Sequence, residues 1–380
     1  MHRGNRSNKG LVSVAGAIVA SCLVAGQAPA QSAESSEAAI VRDVAAIVED
    51  MAANDRFSGV AILAKDGKVL LERAHGLEDR AAKTPITINT KFNLGSLNKL
   101  FTGVAIAQLV QDGKLKFTDT IERWVPELKE ASKITIHQLL THSSGLGNYL
   151  GENSPALKGV ETTLDYFRLV EGGKRTFEPG TGFAYSNSGF IVLGLIIERV
   201  TGMDYHEYTR KFIFEPAGMI DTSAYRVTEI GPGIAKGYTK LNPFGTSTPG
   251  ELSDNTGTLP RRGGPAGGGY STAPDLLRFA SALLQNKLLN EKITSTVLSV
   301  QSSDPALNPP GLPGPSRGYP FLVGNIRGQR VARHAGGAPG ISDEVFLFLD
   351  SGYVLIGLTN SDPPAVGELG HRALAAILGS

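Results

Sequence analysis

The chain reads as an α+β protein, with one antiparallel sheet built from both ends of the sequence, flanking helices, and a mostly α-helical lobe inserted between them. Near the start, GVAILA and KVLLERA flank Lys65-Asp66-Gly67, and an Asp-Gly between two apolar, β-prone runs signals a tight hairpin. Near the end, EVFLFL and YVLIGLTN repeat that pattern around Asp350-Ser351-Gly352. Between the two pairs, apolar residues recur at helical spacing, so strands lie at both ends and helices in the middle.

Taken in order, residues 1–30 stand apart from this fold. Arg3, Arg6 and Lys9 make a basic start, residues 11–26 are apolar, and Ala28-Pro29-Ala30 offers small residues for cleavage. The apolar run is shorter than the roughly 20 residues a spanning helix needs, so the segment reads as a secretory signal peptide. The expected location is periplasmic or secreted, with no membrane span after cleavage. The single cysteine, Cys22, follows Val19-Ala20-Ser21, which loosely resembles a bacterial lipoprotein box, and anchoring there is the minor alternative. From residue 31 onward there is no cysteine, which excludes disulfides, thiol catalysis and cysteine metal sites from the mature protein.

Residues 31–37 (QSAESSE) read as a flexible lead-in, after which Ile40, Val41, Val44, Ile47, Val48 and Met51 mark an amphipathic helix. Beyond the first hairpin, residues 96–111 are helical in pattern. Residues 189–200 (GFIVLGLIIERV) are apolar nearly all round and predict a buried helix. Residues 231–270 and 304–320 are rich in Gly, Pro and Ser and read as long ordered loops. A last helix is expected from about Pro364 to Leu378. The expected organisation is one domain over 31–380, its α/β lobe from about 38–95 and 268–380 and its helical lobe over about 96–267.

Composition narrows the function classes. Of 380 residues 41% are hydrophobic, enough for a sizeable core, and 37 Lys plus Arg against 36 Asp plus Glu leave a formal charge of +1. No overall field recruits nucleic acid or an anionic membrane. The seven histidines form no His-Glu-x-x-His cluster, and no Gly-x-Gly-x-x-Gly follows a strand, so neither metal nor nucleotide cofactor is expected. Gly269-Tyr270-Ser271-Thr272-Ala273 approaches a nucleophile elbow, but a glycine-rich loop precedes it where a strand is required. Ser271 or Thr272 is instead expected to cap the helix that starts near Pro274-Asp275.

Ser96 and Lys99 are the stronger pair. Three residues apart on a helix they share a face, so hydroxyl and amine come within hydrogen-bond reach. Gly95 precedes the serine, placing it in the first turn, where free backbone N–H groups stabilise developing negative charge. Ser-x-x-Lys alone is common in helices. Here Tyr185-Ser186-Asn187 stands just before the buried helix and His334-Ala335-Gly336-Gly337 just before the C-terminal strands.

With these three motifs in this order, the chain resembles the serine β-lactamase-like superfamily, namely class C β-lactamases and the related DD-peptidases, esterases and D-aminopeptidases. HQLLTHSSGLGNY (137–149), EPAGMIDT (215–222), GGGYSTAPDLLRFASALL (267–284) and HAGGAPGISDEVFLFLD (334–350) extend the likeness from about residue 40 to the C-terminus. The resemblance implies a β-lactamase/transpeptidase-like fold without a cofactor. It implies Ser96 as the acylated nucleophile, Lys99 as its base or proton shuttle, and Tyr185 as a second proton-transfer group. Asn187 is then expected on Lys99 or a substrate amide, and the N–H groups of Ser96 and Gly337 in an oxyanion hole, within the stretch containing Gly336. Tyr149 is a candidate for the substrate wall, and His142 and Gly145 are expected to shape the entrance loop.

One departure bears on the substrate. Where class C enzymes carry a lysine in the third motif, this chain has His334, mostly neutral at pH 7; Arg333 adds charge if it points inward. The expected activity is therefore hydrolysis of an ester or amide, ester first. A DD-peptidase or D-aminopeptidase on cell-wall-type peptides, a class C-like β-lactamase and a non-catalytic peptide or penicillin binder are the alternatives. Ser253-Asp254-Asn255 matches the second motif of class A enzymes by letter, but lies 157 residues beyond Ser96 and reads as coincidence.

Overall fold

The computed structural model describes residues 28–150, 157–241, 252–302 and 316–379. The expected leader up to residue 27, with Cys22, lies outside the described residues, as do parts of the long loops. Two compact units are present, one reaching Ala39 and the other running from Ile40. Helix α1 spans Ala28–Ala53, so the stretch 31–37 expected as a flexible lead-in is helical. Ala is the commonest residue of this helix, no glycine interrupts it, and Pro29 falls in the first turn, where a missing N–H costs nothing.

In the unit from Ile40, seven strands form one sheet, antiparallel throughout. They are β1 (Gly59–Lys65), β2 (Lys68–His75), β3 (Ser316–Arg317), β4 (Leu322–Ile326), β5 (Gln329–Ala338), β6 (Ile341–Phe348) and β7 (Tyr353–Thr359). The order across the sheet is β2-β1-β7-β6-β5-β4-β3, and β1 meets β7 in the register Gly59↔Thr359 to Lys65↔Tyr353. The N-terminal and C-terminal hairpins are thus joined edge to edge within one sheet, as the twin hairpin patterns imply. Asp66 and Gly67 at the first hairpin have φ of 51° and 79°, the double positive φ that lets a two-residue turn follow the strand twist.

Helices cover both faces. The α7 helix (Ala365–Leu378) packs with Val44 of α1 on one face, against Leu63, Leu71, Phe346, Phe348 and Leu355. On the other face lie α2 (Lys99–Gln111), α3 (Ile136–Leu140), α4 (Thr163–Glu171), α5 (Asn187–Thr201) and α6 (Ala273–Leu284), sharing one large apolar core with Val60, Ile62, Val345 and Ile356. Helix α5 is buried over residues 187–197, as its all-round apolarity requires. Thr272 accepts a hydrogen bond from Asp275 N–H and caps α6. Among the described residues no helix is long and apolar enough to cross a membrane.

Candidate active site

Ser96 lies in a single 3-10 turn, Gly95–Asn98, and Lys99 opens α2 directly behind it. In a 3-10 turn residues i and i+3 eclipse, which aligns the two side chains. Lys99 Nζ is 3.0 Å from Ser96 Oγ, 2.7 Å from Asn187 Oδ1 and 2.5 Å from the Ala266 carbonyl oxygen. The Tyr185 hydroxyl donates to Ser96 Oγ at 2.7 Å. The serine oxygen therefore sits between an amine and a phenol brought from two different parts of the chain.

Each partner is held by its local sequence. Ser186 caps α5 by accepting from Gly189 N–H (3.1 Å) and donates to Gly147 O (3.1 Å). Asn187, the first residue of α5, gives its carbonyl oxygen to Lys99 and its Nδ2 to Asn148 Oδ1 (3.2 Å), so it braces the lysine. Lys99 is buried, and burial pushes its pKa below the ordinary lysine value, opposed by Tyr185. The amine thus faces three oxygens, Ser96 Oγ, Asn187 Oδ1 and Ala266 O; with one proton lost, its two remaining N–H would serve the two carbonyl acceptors and its lone pair would face Ser96.

The third motif closes the site from β5. Gly95, at φ +46°, is pressed on that strand, since a β-carbon there would lie 3.1 Å from Gly337 N and 3.3 Å from Gly336 C. The tightest approach is at Gly336, where a β-carbon would be 2.1 Å from the Leu94 carbonyl oxygen; at Gly337 it would meet only Pro363 Cγ at 3.4 Å. Gly336→Ala should therefore cost about 1–3 kcal/mol in urea unfolding by forcing the serine turn off the strand. Gly337→Ala should stay within about 0.5 kcal/mol; equal losses would contradict this contact.

His334 is buried on the same face, with Nδ1 2.9 Å from Ala335 O, so Nδ1–H donates and Nε2 is the ring's acceptor. Burial, above all, pushes its pKa down to about 3, which leaves the ring uncharged at neutral pH. Arg333 does not turn inward. Successive strand residues face opposite sides, and its Nη1 reaches Glu344 Oε1 (2.5 Å) on the α7 face. Arg317, on the edge strand β3, lies with its guanidinium carbon 4.4 Å from the centroid of the Phe183 ring.

Of the other expected residues, Tyr149 packs edge-on against Tyr166 (5.8 Å), its N–H donates to Ser188 Oγ (3.0 Å), and burial raises its phenol pKa. Gly145 has φ +72° and passes so close to Phe177 O that a β-carbon would be 2.0 Å away, a backbone approach that only glycine allows. Asn255 donates to Pro339 O (2.8 Å) and Ser253 pairs across a two-residue strand with Thr239, far in role from the lysine that Asn187 braces. The sequence patterns did not point to the Ala266 carbonyl or to Asn148. A backbone acceptor leaves no residue signature, and Asn148 is one exposed amide in a polar loop. Among the described residues no three His, Cys, Asp or Glu side chains gather as a metal-binding group.

A seven-stranded antiparallel sheet backed by helices, with the serine turn pressed on it, is the architecture of the serine hydrolases and transpeptidases related to β-lactamases. The chain belongs to the β-lactamase family, whose model matches residues 44–379. It is 31% identical over 331 residues to a penicillin-binding protein of Bacillus subtilis (strain 168), covering 83% of this chain and 71% of that one. It is 36% identical over 193 residues to the esterase EstB of Burkholderia gladioli, covering 46% of this chain and 49% of the esterase. The crystal structure of the D-amino acid amidase from Ochrobactrum anthropi SV3 with D-phenylalanine superposes with a TM-score of 0.75 at 27% identity, covering 89% of this chain and 98% of that one.

Proposed function

We propose that this protein is a serine acyl hydrolase acting through an acyl-enzyme on Ser96, with an ester as its preferred substrate. The observation that carries the reading is the placement of Ser96 Oγ between Lys99 Nζ (3.0 Å) and the Tyr185 hydroxyl (2.7 Å). Family membership, with an esterase and a D-amino acid amidase among the similar proteins, supports it. As Oγ attacks the carbonyl carbon, its proton passes to the neutral Lys99 amine, and the carbonyl electron pair moves onto the oxygen. Ser96 N–H and Gly337 N–H receive that oxyanion. When the tetrahedral adduct collapses, the leaving alkoxide takes the Tyr185 proton, and Lys99 reprotonates Tyr185. Water then repeats the sequence on the acyl-enzyme, releasing the acid and restoring Ser96.

The preference for esters rests on β5. His334 is uncharged and Arg333 is tied to Glu344, so that strand offers no permanent cation to a substrate carboxylate. A second reading, a D-amino acid amidase or DD-peptidase, draws support from Arg317, whose charge reaches His334. The α/β lobe is taken as about 38–95 with 268–380 and the helical lobe as about 96–267, and the basic-then-apolar start supports export with removal of residues 1–30.

A rate panel separates the readings. A p-nitrophenyl ester should be turned over with a kcat/KM about tenfold or more above those of nitrocefin, a D-alanyl-D-alanine peptide and a D-amino acid amide. Nitrocefin or the D-alanyl peptide leading the panel would reverse the substrate assignment. Failure of a fluorophosphonate to label the protein would remove the serine mechanism itself.

A further inference from the structure

His142 carries two costs that packing alone would not select. Its φ is +59°, in the left-handed region that disfavours a β-carbon, and its buried Nε2 has no hydrogen-bond partner. A glycine or asparagine suits that backbone better, and an apolar ring suits that pocket better. Strain and an unpaired donor retained together point to a task performed by the imidazole.

Three contacts join it to the segment that carries Tyr185. Ala184 N–H donates to the His142 carbonyl (3.1 Å), and Ser186 N–H donates to His142 Nδ1 (3.2 Å). Between these two bonds the imidazole lies over the Tyr185 ring, centroids 4.6 Å apart and planes 35° from parallel. Phe190 (5.3 Å, 39°) and the edge-on Phe183 (6.0 Å, 85°) complete the packing around the imidazole. One residue thus grips the backbone on both sides of Tyr185 and the ring between.

The chemistry requires histidine. Because Nδ1 accepts from a backbone N–H, the ring proton sits on Nε2 and the ring is neutral. Burial first, then the charge of Arg317, pushes its pKa well below the ordinary histidine value, which keeps that tautomer at neutral pH. A phenyl ring stacks but strands the Ser186 N–H. A side-chain amide accepts that bond but does not stack.

We propose that His142 is a positioning residue that seats the Tyr185 hydroxyl on Ser96 Oγ; this rests on Ser96 as nucleophile and Tyr185 as proton carrier. Tyr185 is 39% exposed, so its surroundings on the open side do not fix the ring. His142 supplies the fixed wall. Displacing a reacting group by about 1 Å can cost about 10²-fold in rate, so a loosened Tyr185 would show in kcat.

The test is a double-mutant cycle on the full chain with a p-nitrophenyl ester, using His142→Phe, His142→Gln, Tyr185→Phe and the pair His142→Phe with Tyr185→Phe. Each His142 variant should lower kcat about 10- to 100-fold with KM within about threefold. In the Tyr185→Phe background His142→Phe should cost less than about twofold more, because nothing remains to be seated. Multiplying losses, a change confined to KM, or an unimpaired His142→Phe would overturn the proposal. If Tyr185→Phe itself matches the wild type, the proton-carrier reading fails first and the proposal with it. Nitrogen-15 spectra of wild-type protein add a check that needs no variant. The imidazole with an NOE to the Tyr185 ring should be the neutral Nε2–H tautomer at pH 7; Nδ1 protonation there would also overturn it.

Discussion

Replacing Ser96 by alanine is expected to lower kcat on an activated ester by about 10⁴- to 10⁶-fold and to abolish fluorophosphonate labelling. Stability should change little, because truncating a half-buried hydroxyl whose partners can turn to solvent or to each other costs about 1 kcal/mol or less in urea unfolding. Lys99→Ala should match the activity loss and add a stability loss, since it leaves the buried Ala266 and Asn187 oxygens without their donor. The pH dependence separates the two roles. A base that must be neutral gains activity as pH rises through its pKa, and burial moves that pKa of Lys99 down from the ordinary lysine value. The wild-type rise in kcat/KM should therefore fall below pH 10.5. Residual activity in Lys99→Ala should lack that limb; a limb unchanged by the substitution would transfer the base role elsewhere.

Some of this site was legible in local sequence and some was not, for physical reasons. The Asp66-Gly67 hairpin, the buried α5 and the Thr272 cap depend on residues within a few positions, so turn chemistry and periodicity suffice. The Ser96–Lys99 pair is likewise local. Its meeting with Tyr185 spans 89 residues and has no local trace, so it was reached only through family resemblance. Arg333 was a different case, because adjacent strand residues must face opposite sides. If His334 faces the site Arg333 cannot, and the period of two already contained that answer. That Gly336, rather than Gly337, abuts the serine turn has no local trace either. Which glycine is crowded depends on Leu94, from the opposite end of the sheet's sequence. The 31–37 stretch is the reverse case, in which polar composition suggests flexibility although no glycine or proline in it breaks a helix.

His334 leads to the second large effect, an acid-limb loss of stability. Folded, the imidazole has a pKa of about 3; unfolded, it returns to about 6.5. Above pH 6.5 neither state binds the proton and the group is neutral toward stability. As pH falls below 6.5 the unfolded chain takes up a proton that the folded ring refuses, so stability is lost until pH approaches 3. At pH 5 the gap amounts to about 2 kcal/mol from this residue. Buried His142, also pushed down, adds in the same direction. Urea unfolding of wild type and His334→Gln at pH 7 and pH 5 should show the variant losing about 2 kcal/mol less than the wild type over that interval. The same result decides more than stability, because the ester preference depends on an uncharged ring beside the serine. If both proteins lost stability equally, the folded ring would be accepting the proton. His334 would then be a cation available to a substrate carboxylate at mildly acid pH, and peptides with a free C-terminus would replace esters as the substrate class to pursue.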